Sequence, residues 1–255
     1  MESVSLPLPH DASTSPGSRA PLVSWSVKHV GWSLLLFAAV LFLPQIPLAF
    51  VIRDLDHLTR NEALGAWVAS GLSFVGIALV AVWFAARSGS RPFSLLGYRM
   101  PAWGTLGWAA VAFVGAFLIA FVYGVITKAA GWEQKCDDQI PLEIRRDALL
   151  LALFSFQAVV FAPVAEETYF RGFAFGGIAR SWGVPAGIVF SGVLFGAAHL
   201  LGNPYLYKTF PLFAALGMLF AFCYSRNGNI FTTMLAHFSY NLVSVIFIAS
   251  TTCNR

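Results

Sequence analysis

Long uncharged apolar stretches constrain this chain more than any other sequence feature. Three of them contain no Asp, Glu, Lys, Arg or His, and they cover residues 30–52, 63–86 and 100–127. A helix needs about 20 apolar residues to cross a hydrocarbon core of about 30 Å. Further apolar stretches follow at 148–165, 181–198, 209–225 and 230–251. The sequence therefore predicts about seven membrane crossings, with six and eight as the limits.

The composition supports an all-α, polytopic transmembrane helical bundle. Charged residues make up 11% of the 255 positions and hydrophobic residues 58%, whereas a soluble domain carries about 25% charged residues. The net charge is +4, and no basic cluster alternates with aromatic residues, so we expect membrane lipid and no nucleic acid as a partner. The three cysteines form no CxxC pair, which argues against a disulfide framework or a zinc ribbon.

Four segments follow from this pattern. Residues 1–29 are rich in Pro, Ser and polar residues and are predicted to be a disordered polar tail. Residues 30–129 hold three N-terminal transmembrane helices. Residues 130–147 form a polar connecting loop, in which the sequence Ile140-Pro141-Leu142 is compatible with the start of a short surface helix. Residues 148–255 hold the last four spans.

The last segment contains few acidic residues and few histidines. Its only acids are Glu166 and Glu167, and its only histidines are His199 and His237. Carboxylates and imidazoles are expensive inside a membrane, so they usually face a protein interior or a wet cavity and mark a functional site.

Helix arithmetic brings these groups to one depth. If residues 148–179 form one helix bent near Pro163, Glu166 lies roughly 20 Å from the turn at residues 180–183, at the usual rise per residue. His199 lies roughly 23 Å from the same turn along the next helix. On the last helix, His237 and Asn241 lie roughly 12 and 18 Å from its start on that side. The four side chains are therefore expected in one layer.

The helical periodicity also separates the two acids. Glu167 and Arg171 are four residues apart and can form an ion pair on one face, while Glu166 lies about 100° round the helix, at 3.6 residues per turn. Gly187 and Ser191 extend the row of His199 with small side chains, which allows a neighbouring helix to approach closely.

Three motifs now stand together: Glu166-Glu167-Thr168-Tyr169-Phe170-Arg171, Phe195-Gly196-Ala197-Ala198-His199 and His237-Phe238-Ser239-Tyr240-Asn241. They resemble, in order and in helix placement, the EExxxR, FxxxH and HxxxN/B motifs of the CAAX prenyl protease and bacteriocin-processing (Abi) family. The resemblance covers roughly residues 148–250. The first three spans match that family only in being hydrophobic.

The resemblance implies an intramembrane endopeptidase that acts on a membrane-associated peptide or protein, prenylated or carrying a leader peptide. It also leads us to expect the plasma membrane of a bacterium. By resemblance, Glu166 is the general base and His199 holds the attacking water. Electrostatics makes Glu167 the acid paired with Arg171, His237 and Asn241 are suited to donate to the oxyanion, and Phe195 packs beside His199.

Several alternatives stay open at this point. Glu166, His199 and His237 form a His₂Glu set suited to catalytic zinc, although metal-free glutamate catalysis is preferred. The Glu167–Arg171 pair and Asn241 are also explained by helix packing alone. At the level of the whole protein, the alternatives are a catalytically silent scaffold or immunity protein on the same fold, and a proton-coupled transporter.

Overall fold

The structure is a computed structural model that describes residues 23–52, 58–132, 142–202 and 204–250. Within these ranges all regular secondary structure is helical. Seven helices form the bundle, and we number them in chain order. They are α1 (Val27–Ala49), α2 (Arg60–Ser88), α3 (Trp103–Ala129), α4 (Ala148–Trp182), α5 (Val184–Gly202), α6 (Phe210–Asn227) and α7 (Ile230–Ser250).

This architecture confirms the predicted polytopic helical bundle. Six of the helices are long and apolar enough to cross a membrane, and α5 contributes a shorter apolar helix, Val184–Leu200. Side chains such as Phe50, Phe121 and Phe247 are largely exposed on the outer surface. That is the arrangement expected when lipid rather than water surrounds the bundle.

Local sequence explains where several helices begin and end. Thr59 precedes α2, and its Oγ1 accepts from the Glu62 backbone N–H while Glu62 Oε2 accepts from the Thr59 backbone N–H at 2.8 Å. This reciprocal pair is a capping box. Gly183 (φ +87°) and Gly228 (φ +63°) end α4 and α6, since glycine takes positive φ without a steric penalty.

The predicted polar tail, residues 1–29, is too long at its C-terminal end. Val23 and Trp25 are buried, and α1 already begins at Val27. Trp25 stacks on Phe173 of α4 and donates its indole N–H to the Phe173 carbonyl at 2.8 Å. Residues 1–22 lie outside the described residues.

Half of the predicted connecting loop, residues 133–141 of 130–147, also lies outside them. Its end holds a short helix, Leu142–Arg146, whereas Ile140 and Pro141 of the expected break lie outside the described residues. Asp147 caps α4 by accepting from the Leu149 and Leu150 backbone N–H groups. A second short helix, Pro92–Leu95, lies between α2 and α3.

The N-terminal helices pack directly on the C-terminal core. Phe37 of α1 and Phe84 of α2 contact the aromatic rings of Tyr169 and Phe173 on α4. Asn229, between α6 and α7, donates to the Thr105 hydroxyl at the start of α3 at 3.2 Å. All seven helices therefore form one packed bundle.

Helix α4 departs from the regular α-helix that was predicted for it. Two π-helical segments, Gln157–Phe161 and Glu167–Phe175, interrupt it on either side of the α-helical turn that contains Pro163. The distortion is thus broader than the single bend expected at the proline. π-Helical turns widen a helix and recur at functional sites, and the second segment begins at Glu167.

Candidate active site

A cavity of about 410 Å³ lies between α2, α4, α5, α6 and α7. The side chains that the sequence predicted at one membrane depth lie along its wall. Glu166, His199, His237 and Asn241 all line it, together with Phe195 of the second motif. Its other lining residues are Ser70, Phe74, Phe154, Gln157, Ala158, Ala162, Phe213, Leu216 and Tyr240.

Glu166 contributes a carboxylate that is nearly buried and incompletely paired. Its side chain is 13% exposed, and its Oε2 lies 4.0 Å from His237 Nε2. That distance exceeds a hydrogen bond, and Oε2 has no hydrogen-bond partner among the described residues. A buried carboxylate oxygen without a hydrogen bond is costly, so Glu166 Oε2 is suited to receive a hydrogen bond from a water or a substrate.

Glu167 points away from that position and holds two partners with one oxygen. Its Oε1 lies 3.1 Å from Arg171 Nη1 and 2.9 Å from His237 Nδ1. Glu167 and Arg171 are both fully buried. The contact with Arg171 is the one expected from the sequence, whereas the contact with His237 joins the first motif to the third.

Aromatic rings enclose the guanidinium of Arg171. It lies 4.4 Å from the ring centroid of Phe195 and 5.3 Å from that of Phe220, and its Nη2 donates to the Gly217 carbonyl at 3.3 Å. A cation over a ring face is stabilised by the ring quadrupole. Phe195 therefore packs on Arg171 as well as on His199, whose ring centroid is 4.7 Å away.

Both histidines have Nδ1 engaged. His199 Nδ1 lies 2.8 Å from the Phe195 carbonyl oxygen, which can only accept, so this nitrogen carries the proton. His237 Nδ1 donates to the Glu167 carboxylate in the same way. In the neutral form each ring is therefore left with an unprotonated Nε2. Phe213 stacks on the His199 ring at 3.9 Å and fixes its plane.

Asn241 binds the backbone of the first π-helical segment. Its Nδ2 donates to the Ala158 carbonyl at 2.7 Å, which engages one of its two N–H groups. Two other side chains serve π-helical carbonyls in the same way: Ser191 donates to Phe170 at 3.0 Å, and Trp25 to Phe173. In lipid, every backbone group freed by a distorted helix needs an internal partner.

Among the polar lining residues, Gln157 and Ser70 were given no role by sequence reasoning. Gln157 is 4% exposed and donates Nε2 to the Ser70 hydroxyl at 2.6 Å. The available signal was the single amide side chain inside the apolar stretch 148–165. Because the sequence argument considered only titratable groups and motif positions, it passed over this amide.

The proposed zinc ligands do not form a metal site as they are placed here. The donor chemistry of Glu166, His199 and His237 suits zinc. However, the structure brings no three His, Cys, Asp or Glu side chains within its described ranges close enough to hold a metal ion. His237 Nδ1 is moreover engaged by Glu167, so only Nε2 remains as a possible ligand.

The fold and this cavity define a polytopic membrane protein with a carboxylate and two imidazoles converging inside the bundle. Residues 148–243 match the family model described as Rce1-like: Type II CAAX prenyl endopeptidase Rce1-like. This match covers 96 of the 255 residues (243 − 147) and supports the similarity to the CAAX protease family that the three motifs indicate. No curated protein and no solved structure matches the chain.

Proposed function

We propose that this protein is an intramembrane endopeptidase that uses Glu166 to activate water. The observation that carries the proposal is the convergence of Glu166, His199 and His237 on one cavity in the bundle. The Nδ1 atoms of both rings are held by acceptors, so both Nε2 atoms are left for a water or a substrate. The family match over residues 148–243 supports the same reaction class.

The water-activation step needs a base and a second group to hold the water. Glu166 takes a proton from the water as its oxygen attacks the scissile carbonyl carbon. His199, neutral and protonated at Nδ1, accepts a hydrogen bond from that water at Nε2 and so orients it. A positioned general base of this kind contributes about 10²- to 10⁴-fold in rate.

The tetrahedral intermediate then needs donors for its oxyanion and a proton for its leaving amine. Asn241 has a second N–H, and His237 donates from Nε2 when its ring carries both protons, the other one being held by Glu167. Glu166 passes the proton it gained from the water to the amine nitrogen, and the C–N bond breaks. The products are one carboxylic acid and one amine, which become carboxylate and ammonium when the acid passes its proton to the amine, and the carboxylate of Glu166 is regenerated.

The cavity lining favours a substrate with an apolar group near the scissile bond. Phe74, Phe154, Phe213 and Leu216 form much of the wall, and the bundle lies within lipid. A prenylated cysteine close to a C-terminus, as in a C-a-a-X sequence, combines a membrane anchor with a short peptide. We therefore propose this substrate class, in agreement with the family description, and keep a bacterial plasma membrane as the expected location.

Cleavage by reconstituted protein tests the proposal. The probe is a fluorescence-quenched peptide that ends in a farnesylated cysteine and three further residues. Wild-type protein is expected to cut it, and Glu166→Gln to lose at least 100-fold in kcat with an unchanged thermal unfolding temperature. The matched control is Glu62→Gln, because Glu62 caps α2 and does not line the cavity.

Two results would count against the enzyme. Equal cleavage by wild type and Glu166→Gln would remove Glu166 as the base. Absence of cleavage by folded wild-type protein, on this peptide and on a membrane-tethered leader peptide, would favour the silent scaffold.

A further inference from the structure

The cavity contains a second unpaired acceptor that the proposed mechanism does not use. Gln157 Oε1 is buried and has no hydrogen-bond partner among the described residues. Gln157 itself lines the cavity, at the start of the first π-helical segment of α4. An unpaired acceptor is costly in a buried site, so a donor from a bound molecule would be stabilised at Gln157 Oε1.

Neighbouring hydrogen bonds fix which end of this amide is free. The hydroxyl proton of Ser70 is used by its own helix, where Oγ lies 2.8 Å from the Ala66 carbonyl and 3.2 Å from that of Trp67. Ser70 Oγ can therefore only accept from Gln157, and it does so from Nε2 at 2.6 Å. The arrangement leaves Gln157 Oε1 as an acceptor that requires an N–H or O–H.

We infer that Gln157 Oε1 accepts a backbone N–H of the bound substrate peptide. This inference rests on the proposed peptidase function. A prenyl chain has no donor, whereas an extended peptide brings one backbone N–H per residue, and each needs an acceptor once it is buried in the bundle. Ser70 then acts as a positioning residue, although it lies in α2 outside the family-matched segment.

The spacing of Gln157 and Glu166 on α4 also indicates on which side of the scissile bond the bound substrate N–H lies. Gln157 precedes Glu166 by nine residues (166 − 157), which is at most roughly 13 Å along α4, because the π-helical turn between them rises less per residue than an α-helix. An extended peptide spans that distance in about four residues. Only three residues follow the cysteine of a C-a-a-X sequence, so the N–H bound by Gln157 belongs to the upstream part of the substrate.

Ester substitution in the substrate tests this contact directly. The probes are farnesylated, quenched peptides with six residues upstream of the cysteine, in which one upstream amide N–H at a time is replaced by an ester oxygen. For wild-type protein, one ester located three to five residues upstream is expected to raise KM about three- to tenfold, the usual size of one neutral hydrogen bond. Esters at the other positions are expected to leave KM unchanged.

The variant Gln157→Met completes a double-substitution cycle. It should raise KM for the all-amide peptide by a similar factor with little change in kcat. For this variant, the ester that raises KM of the wild type should cause no further rise in KM. Ser70→Ala should give a smaller rise in KM, and Ser73→Ala, a buried serine of the same helix that does not line the cavity, should give none. Gln45→Met is the matched control outside the cavity.

Three results would overturn the inference. KM could be the same for Gln157→Met and wild type, in which case a buried water satisfies the amide. The penalties of ester and variant could also add independently, which would make Gln157 purely structural. Finally, the protein could cut all the peptides with the same KM, whichever amide is replaced by an ester. In all three cases the peptides are cleaved, so the proposed function stands; wild-type protein that neither cuts nor binds them overturns both.

Discussion

His237 and Arg171 meet at a single oxygen of Glu167, since Oε1 lies 2.9 Å from His237 Nδ1 and 3.1 Å from Arg171 Nη1. The carboxylate thereby links an ion pair within α4 to an imidazole on α7. A carboxylate on Nδ1 fixes the tautomer and the orientation of a histidine. Glu167 is thus a positioning residue for His237 as well as the partner of a buried charge.

The first prediction separates those two duties. Glu167→Gln leaves the buried Arg171 charge without its carboxylate partner. We expect this variant to lose on the order of 3 kcal/mol of stability and also most of its activity. The double variant Glu167→Gln/Arg171→Met removes the orphaned charge and should recover much of the stability but not the activity. Thermal unfolding in detergent and peptide cleavage measure the two effects. A single variant as stable as wild type would contradict the buried-pair argument.

The second prediction concerns His199. His199→Ala removes the nitrogen proposed to hold the attacking water, and kcat should fall by about 100-fold or more while the protein stays folded. His29→Ala is the matched control, because His29 lies in the first turn of α1 and does not line the cavity. If kcat is retained in His199→Ala, the water is held elsewhere.

The third prediction asks what Asn241 does besides binding the backbone of α4. Asn241→Ala and Ser191→Ala each remove a donor from a π-helical carbonyl, so both should lose about 1–3 kcal/mol of stability. Only Asn241→Ala is expected to lower kcat as well, by about 10²- to 10³-fold if its second N–H serves the oxyanion. Equal kcat values for the two variants would reduce Asn241 to helix packing.

The fourth prediction concerns metal. Because the three candidate ligands are not placed as a metal set, we expect cleavage to continue after exhaustive chelation, and elemental analysis to show less than one zinc per protein. Loss of activity on chelation, restored by added zinc, would instead show that Glu166, His199 and His237 move together around a metal.

The sequence predicted the membrane bundle and the shared cavity because both depend on simple arithmetic. Uncharged stretch lengths give the spans, and the rise per residue places Glu166, His199, His237 and Asn241 at one depth. That arithmetic tolerates errors of a few residues. The family motifs, in their order along the chain, also indicated which three helices carry the site.

Other features escaped because they depend on three-dimensional packing. The bond between Glu167 and His237 joins residues 70 positions apart, and helical periodicity pairs Glu167 only with Arg171. The π-helical segments of α4 were missed since periodicity arguments assume a regular α-helix. They are compensated by Trp25, Ser191 and Asn241, which come from three other parts of the chain. The ordered residues 23–29 were missed for the same reason: Trp25 is held by a carbonyl of a π-helical turn.

The sequence predicted that Gly187 and Ser191 allow one helix to approach α5 closely, but two helices do so. Those two residues face α4, where a Cβ on Gly187 would lie 2.9 Å from Ala179 Cβ. A second row, Gly192 and Gly196, faces α6. A Cβ added at Gly196 would lie 2.9 Å from the backbone nitrogen of Ala214.

The fifth prediction follows from that contact, because backbone atoms cannot move aside as the end of a flexible side chain can. Gly196→Ala should force α5 and α6 apart and cost about 1–3 kcal/mol, the usual penalty of overpacking. Activity should fall too, since α5 carries His199 and α6 carries Phe213, the ring stacked upon it. The matched control is Gly71→Ala in α2, where an added Cβ meets nothing within 4 Å and the better helix former should leave stability unchanged or raise it by up to about 1 kcal/mol. Thermal unfolding of both variants in the same detergent decides the matter, and equal stability would show that the two helices are not packed this closely.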